Sequence, residues 1–113
     1  MLTLQNVKGC KVMRKQIVVY KTKPEKADEN QRLIETVFAE LRAKGATDMR
    51  YLSARMGDGT FVHFAISDDA GGASPFAKLE SFQAYLAGIK DRVTAPPLQS
   101  EAIVIGNYRM LDE

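Results

Sequence analysis

The sequence contains no tryptophan, one cysteine and one histidine among its 113 residues. A single cysteine excludes an internal disulfide and a thiolate metal site. Lysine and arginine total 16 against 14 acidic residues, and a net charge of +2 is too small to predict binding to nucleic acids. No apolar run is long enough to cross a bilayer, and the first residues lack the pattern of a secretory signal. We therefore expect a cytoplasmic protein that binds neither membrane nor nucleic acid.

The remaining composition is that of one globular domain. The hydrophobic fraction is 45% and the charged fraction is 27%, which excludes wholesale disorder. Residues 1–13 show no strand or helical periodicity, and we interpret them as an N-terminal extension. Residues 14–113 then form a single domain that is long enough to bury a core.

Strand-like and helix-like segments alternate along this domain. Strands are predicted at about 15–22, 49–56, 60–67 and 102–110, where β-branched and aromatic residues are frequent. A helical stripe runs from Leu33 to Leu41 and ends at Gly45, after a capping-box spacing of Thr22 and Glu25. A second helix follows Ser74, with a bend expected at Gly88. The order βαββαβ predicts an α+β, ferredoxin-like fold: a four-stranded antiparallel sheet with two helices on one face.

The central hairpin sorts the residues of the sheet between its two faces. Its turn places Ala54 opposite Val62 and Leu52 opposite Phe64, and these apolar residues are assigned to the helices. The opposite face then carries Tyr51, Ser53, Arg55, Phe61, His63 and Ala65. Apolar residues occupy both faces but the helices cover only one, so the sequence predicts a homodimer. On this assignment, Phe61→Asp should break the dimer.

Several segments together resemble the dimeric α/β-barrel superfamily, and within it the antibiotic-biosynthesis-monooxygenase-like proteins. They are Lys23-Pro24, the run Phe61-Val62-His63-Phe64, the stretch from Phe82 to Arg92 before Pro96-Pro97, and the terminal Val104-Ile105-Gly106-Asn107-Tyr108-Arg109. The resemblance covers about residues 14–111. It implies a dimer with a cavity between sheet and helices in each subunit, and its members include cofactor-free oxygenases of aromatic substrates and haem-degrading enzymes.

The chain departs from the haem-degrading members of this group. It has no tryptophan, its only histidine lies in a predicted strand, and Val18 stands where those enzymes would place an asparagine. We therefore expect no cofactor. The acidic residues do not have metal-ligand spacing with His63, so no metal site is predicted either. The RNA-recognition motif shares this element order, but Gly57 and Gly59 occupy positions where that family needs a basic and an aromatic residue.

The candidate site residues follow from their chemistry and from the resemblance. His63 ionises near neutral pH and is the candidate general base, with Tyr51 as its catalytic partner. Tyr20, Ser53, Arg55 and Asn107 are candidate ligand-binding residues. A structural interpretation stays open for each: His63 bonded across strands to Ser53, or Arg55 paired with an acidic neighbour.

The favoured functional hypothesis is a small-molecule-binding dimer that acts as a cofactor-free monooxygenase on an aromatic or polyketide-like compound. The alternative is a non-enzymatic dimeric ligand-binding or stress-response module.

Overall fold

The computed structural model describes residues 13–68 and 75–111. The elements are β1 (Met13–Lys21), α1 (Ala27–Lys44), β2 (Met49–Arg55), β3 (Thr60–Asp68), α2 (Glu80–Ala87), α3 (Ile89–Arg92) and β4 (Leu98–Glu101). Single 3₁₀ turns at Pro24–Lys26 and Pro75–Lys78 precede α1 and α2. This order confirms the predicted α+β, βαββαβ fold. Residues 1–12 of the proposed extension and the predicted cap at Ser74 lie outside the described residues, whereas Met13, assigned to the extension, is the first residue of β1.

The four strands form one antiparallel sheet in the order β2-β3-β1-β4. The two central strands, β1 and β3, are separated in the sequence by α1 and β2, so side chains from distant parts of the sequence become neighbours. Val18 of β1 and Ser53 of β2 lie opposite the same residue of β3, His63. The helices pack on the face of the sheet that carries His63, which is 4% exposed.

The predicted assignment of the sheet faces is wrong, although the hairpin register is right. Leu52 lies opposite Phe64, as predicted. However, Leu52 is 48% exposed, whereas Phe61 and His63 on the other face are buried beneath the helices. The helix-covered face contains polar groups that hydrogen-bond to one another, so a count of apolar residues did not identify it. Phe61 is a core residue, and Phe61→Asp would therefore disrupt folding rather than a dimer interface.

The last strand begins earlier than predicted and ends before residues 102–110. β4 starts directly after Pro96-Pro97 and pairs with β1. Beyond it the chain turns, because the side-chain oxygen of Asn107 accepts the backbone N–H groups of Met110 and Leu111. This local hydrogen bonding competes with strand pairing. Ile105, which the prediction placed inside a strand, is 99% exposed.

The two helical regions supply the second layer of the domain. Ile34 and Val37 of α1 are buried in the core, and α1 ends at Gly45 in the left-handed conformation, as predicted. The predicted capping box does not form, since the Thr22 hydroxyl donates to the carbonyl oxygen of Gly59 instead. α2 and α3 are separate helices that meet at Gly88. Within the described ranges, no helix is long and apolar enough to cross a membrane.

Candidate functional site

A cavity of about 350 Å³ lies against the helix-covered face of the sheet. Alternate residues of β1, from Arg14 to Tyr20, line the cavity. Aromatic or aliphatic side chains such as Phe76 and Phe82 form much of its wall. Tyr20 and His63 lie toward the same end, because His63 pairs with Val18, two residues from Tyr20. This volume falls in the range of small-molecule sites, which are mostly apolar with a few polar groups that orient the ligand.

His63 is the centre of the polar end of the cavity. Its Nδ1 lies 2.7 Å from the Tyr51 hydroxyl and 2.7 Å from the Ser53 hydroxyl, and its Nε2 lies 2.9 Å from the Tyr20 hydroxyl. The strand geometry explains this arrangement. Ser53 lies directly opposite His63, and Tyr51 and Tyr20 occupy diagonal positions on the two neighbouring strands.

A second layer of polar residues, from the helices, lies behind the Tyr20 hydroxyl. This hydroxyl is 2.5 Å from the Tyr85 hydroxyl and 2.9 Å from Asn30 Nδ2. Arg92 Nε donates to Asn30 Oδ1 over 2.8 Å, and its Nη2 donates to the Tyr85 carbonyl oxygen. The result is one continuous hydrogen-bonded cluster from Arg92 to Ser53.

Burial keeps the imidazole and the tyrosine hydroxyls of this cluster neutral. It lowers the pKa of His63 to about 4 and raises the pKa of Tyr51 to about 12. It also raises the pKa of Tyr20 and Tyr85 above the ordinary tyrosine value. Arg92 is 2% exposed, and its guanidinium carries the cluster's only positive charge. Among the described residues its partners are neutral oxygens and the Tyr85 ring, whose centroid lies 5.4 Å away.

The structure brings four of the six predicted site residues together and leaves two apart. Tyr20, Tyr51, Ser53 and His63 form the cluster. Arg55 instead donates to Asp28 and Gln31 on α1, at the end of the hairpin.

Asn107 lies on the other side of the sheet and bonds to the backbone of its own segment. Neither Arg55 nor Asn107 lines the cavity beside His63. No contact with the cluster supports the predicted roles of these two residues in ligand binding.

Three cluster residues were missed by reasoning from the sequence: Asn30, Tyr85 and Arg92. A signal was present for Asn30, which lies four residues before Ile34 and seven before Val37, in line with the apolar stripe of α1. A polar side chain at such a position needs a buried partner. For Arg92 the comparable signal was its place three residues after Ile89 in the second helical stripe. Which partners these residues would meet depended on tertiary packing.

The donor set of the cluster does not match a metal centre. The cluster consists of hydroxyl groups, one imidazole, one amide and one guanidinium, whereas metal sites use carboxylates, thiolates or several imidazoles. Over residues 13–68 and 75–111, no group of three histidine, cysteine or acidic side chains is close enough to hold a metal ion.

Solved structures share this fold over nearly their whole length. A candidate antibiotic biosynthesis monooxygenase from Bacteroides thetaiotaomicron has a TM-score of 0.72 and 11% identity, covering 88% of this chain and 96% of its own. A protein from Mycobacterium tuberculosis has a TM-score of 0.68 and 14% identity over 85% and 98% of the two chains. A candidate monooxygenase of the same name from Caulobacter crescentus has a TM-score of 0.63 and 16% identity over 92% and 100%.

Comparisons of sequence alone give no match, either to a protein-family model or to a curated protein. At 11–16% identity, the structural likeness concerns the fold. The fold implied by the sequence resemblance is confirmed: this chain has the α+β fold of structures named for antibiotic biosynthesis monooxygenases.

Proposed function

We propose that the protein is a homodimer that binds a small aromatic phenol and acts on it as a cofactor-free monooxygenase. The observation that carries the proposal is His63, a neutral imidazole bonded to tyrosine hydroxyls beside a cavity with aromatic and aliphatic walls. Such walls suit a flat apolar ring, and the polar cluster suits its hydroxyl group. The names of structures with this fold support the same reaction class.

The proposed reaction uses molecular oxygen as its only oxidant. His63 accepts the phenolic proton, directly or through a neighbouring hydroxyl, and the electron-rich phenolate transfers an electron to oxygen. Recombination forms a C–O bond at a ring carbon, and loss of water leaves a quinone. One oxygen atom enters the product and the other leaves as water. The phenol supplies all four electrons, so the step needs no external reductant.

The burial of His63 both supports and limits this role. A pKa of about 4 leaves the imidazole free to accept a proton at neutral pH, but it is a weak base in the empty cavity. The imidazolium would form together with the phenolate beside it, because opposite charges attract strongly where water is excluded. The proposal therefore requires a bound phenol in contact with the cluster.

Turnover of simple phenols tests the proposal. The purified protein is incubated in air with a panel of one- to three-ring phenols, including 1-naphthol, while oxygen consumption is recorded. Mass spectrometry with labelled oxygen should find one labelled atom in the quinone. We expect His63→Gln to lower the rate by about 10²-fold or more, the usual contribution of a general base.

Tyr108→Phe is the matched control for Tyr51→Phe. Tyr108 is 83% exposed and does not line the cavity beside His63, so its loss should leave the rate unchanged. Tyr51→Phe removes one of the two hydroxyls at Nδ1 and should lower the rate less than His63→Gln does. An unchanged rate in His63→Gln would rule out the proposed base.

A non-enzymatic ligand-binding module is the second candidate function. The observation that favours it is that the protein's own hydroxyl groups already occupy both ring nitrogens of His63. Such an imidazole can orient a bound hydroxyl without accepting its proton. Phenols that raise the melting temperature but consume no oxygen would favour this function over the oxygenase.

The exposed apolar residues on the sheet face opposite the helices support the proposed homodimer. Leu52 is 48% and Ile17 is 36% exposed there, beside a groove of about 570 Å³ between the sheet and residues 102–111. Ile103 and Ile105 of that segment are 89% and 99% exposed. An apolar surface of this kind is characteristic of interfaces, and a second copy of the same face would cover it.

A further inference from the structure

Two polar side chains behind the candidate site are almost completely buried. Asn30 is 0% exposed and Arg92 is 2% exposed, and neither lines the cavity. Arg92 Nε donates a hydrogen bond to Asn30 Oδ1, and Asn30 Nδ2 donates one to the Tyr20 hydroxyl of the site. A buried charge and a buried amide are retained in a core only where their hydrogen bonds are satisfied. Their contacts therefore define what they do to Tyr20.

Arg92 fixes the orientation of the Asn30 amide. The oxygen and nitrogen of an amide are ordinarily assigned from their partners, and guanidinium can only donate. Asn30 Oδ1 must therefore face Arg92, and the NH₂ group must face Tyr20. Since Asn30 donates to the Tyr20 oxygen, the proton of Tyr20 has two possible acceptors, His63 Nε2 and the Tyr85 oxygen.

We propose that Arg92 and Asn30 are positioning residues that direct the Tyr20 proton to His63 Nε2 and so hold His63 as its Nδ1–H tautomer. In this arrangement each hydrogen bond donates away from the guanidinium: Arg92 to Asn30, Asn30 to Tyr20, Tyr20 to His63, and His63 to the hydroxyls beside Nδ1. Hydrogen bonds that donate in one direction polarise and strengthen one another, and this chain begins at a permanent positive charge.

The opposite tautomer breaks this single direction and leaves the Tyr85 proton dependent on the cavity. If Nε2 carried the hydrogen, it would donate to Tyr20, and Tyr20 would have to donate to Tyr85. The Tyr85 hydroxyl proton would then have no acceptor within the described part of the chain and could be accepted only by a molecule in the cavity that Tyr85 lines, although Tyr85 is only 6% exposed. In the proposed tautomer the proton left over belongs to Ser53, which is half-buried on the edge strand β2. Water can accept that proton.

The tautomer gives the cluster a direction for proton movement, and this step rests on the proposed function. A phenol bonded to Tyr85 passes its proton to the Tyr85 oxygen, Tyr85 passes its own proton to Tyr20, and Tyr20 passes its proton to Nε2. The products are a phenolate and an imidazolium, and both tyrosines end neutral. The contacts that carry these transfers are 2.5 Å between the tyrosine hydroxyls and 2.9 Å from Tyr20 to Nε2. Only an Nε2 without hydrogen can end this relay.

Nitrogen NMR of the imidazole tests the inference in the ligand-free protein. The chain has one histidine, so the ring signals belong to His63. The ¹⁵N shifts and the pattern of ring-proton couplings at pH 7 distinguish the Nδ1–H from the Nε2–H tautomer. We expect the wild-type protein to show Nδ1–H. A wild-type protein in the Nε2–H form would overturn the proposal, whatever the behaviour of any variant.

Asn30→Asp is the variant that should reverse the tautomer. A carboxylate at residue 30 accepts from Arg92 with one oxygen and from Tyr20 with the other. Tyr20 would then accept from His63, and the spectrum should change to Nε2–H. Gln83→Glu, the same amide-to-carboxylate change on the exposed side of α2, is the control and should keep Nδ1–H. A folded Asn30→Asp protein that keeps the wild-type tautomer would also overturn the proposal.

The experiments can refute the proposed tautomer and the proposed reaction independently. Nδ1–H in the wild type with no phenol oxidation would leave the positioning role standing and remove the proposed oxygenase. Where wild-type turnover is observed, Asn30→Asp should lower kcat by about 10²-fold, the usual contribution of a general base, while Gln83→Glu leaves it unchanged. Equal kcat in Asn30→Asp and wild type would exclude the relay.

Discussion

Lowering the pH from 7 to 5 should destabilise this protein through a single side chain, His63. Burial lowers its pKa in the folded protein to about 4, from an ordinary value of 6.5. Below pH 6.5 the unfolded chain therefore binds a proton that the folded protein does not bind. Stability from this group is fully present above pH 6.5, falls as the pH is lowered, and is lost by about pH 4.

The magnitude follows from the two pKa values. The whole difference corresponds to about 3 kcal/mol of unfolding free energy, of which about 2 kcal/mol is lost between pH 7 and pH 5. For a chain of this length, 2 kcal/mol corresponds to a fall of about 8 °C in melting temperature. Glu40, whose pKa is lowered to about 2 by Lys44 and Ser81, contributes only below its ordinary value of 4.5. Its effect therefore lies mostly below the pH range of the experiment.

Thermal denaturation followed by circular dichroism at pH 7, 6 and 5 measures the effect. His63→Gln is the control: its starting stability will differ, but its melting temperature should change little over this range because the titrating group is gone. A wild-type melting temperature that is constant or rises between pH 7 and pH 5 would refute the reasoning. It would mean that His63 is protonated in the folded protein at least as readily as in the unfolded chain.

Two further predictions concern the two faces of the sheet. Phe61→Ala should lower the unfolding free energy by about 3–5 kcal/mol in urea denaturation, because it empties a site that is 2% exposed, while Leu98→Ala at 70% exposure should change it by less than about 0.5 kcal/mol. A small loss for Phe61→Ala would contradict its place in the core. If the protein forms the proposed dimer, Leu52→Asp should convert it to a folded monomer in light scattering, and the exposed helix variant Ala84→Asp should remain dimeric. A monomeric wild type, or a dimeric Leu52→Asp protein, would contradict the proposed interface.

Local pattern was enough to predict the element order, the hairpin register and the end of α1. Each depends on neighbours in the sequence: alternation in strands, a helical stripe, or the left-handed conformation of Gly45. The last strand was misplaced because apolar residues from Ala102 onward resemble a strand. Its position was set instead by pairing with β1 and by the turn that Asn107 forms.

The sheet faces and the second layer of the site could not be predicted in the same way. Both faces carry apolar side chains, and the choice between them depended on whether polar residues on one face could satisfy one another. His63 meets Tyr51 and Ser53 within the hairpin, but its contact with Tyr20 requires the pairing of β1 with β3. The contacts of Tyr20 with Asn30 and Tyr85 require both helices as well. Sequence periodicity gives no information on such pairings.

The buried cluster is difficult to explain as a device for stability alone. A buried charge such as Arg92 must recover a desolvation penalty of several kcal/mol, and apolar residues of similar volume often serve a core equally well. Keeping His63 neutral also lowers the unfolding free energy below pH 6.5, which is the basis of the predicted pH dependence. The same arrangement gives an uncharged imidazole with a defined hydrogen-bonding direction beside a cavity of ligand size. A cluster that lowers stability but orders the hydrogen bonds around one titratable group is what binding or proton transfer at that group requires.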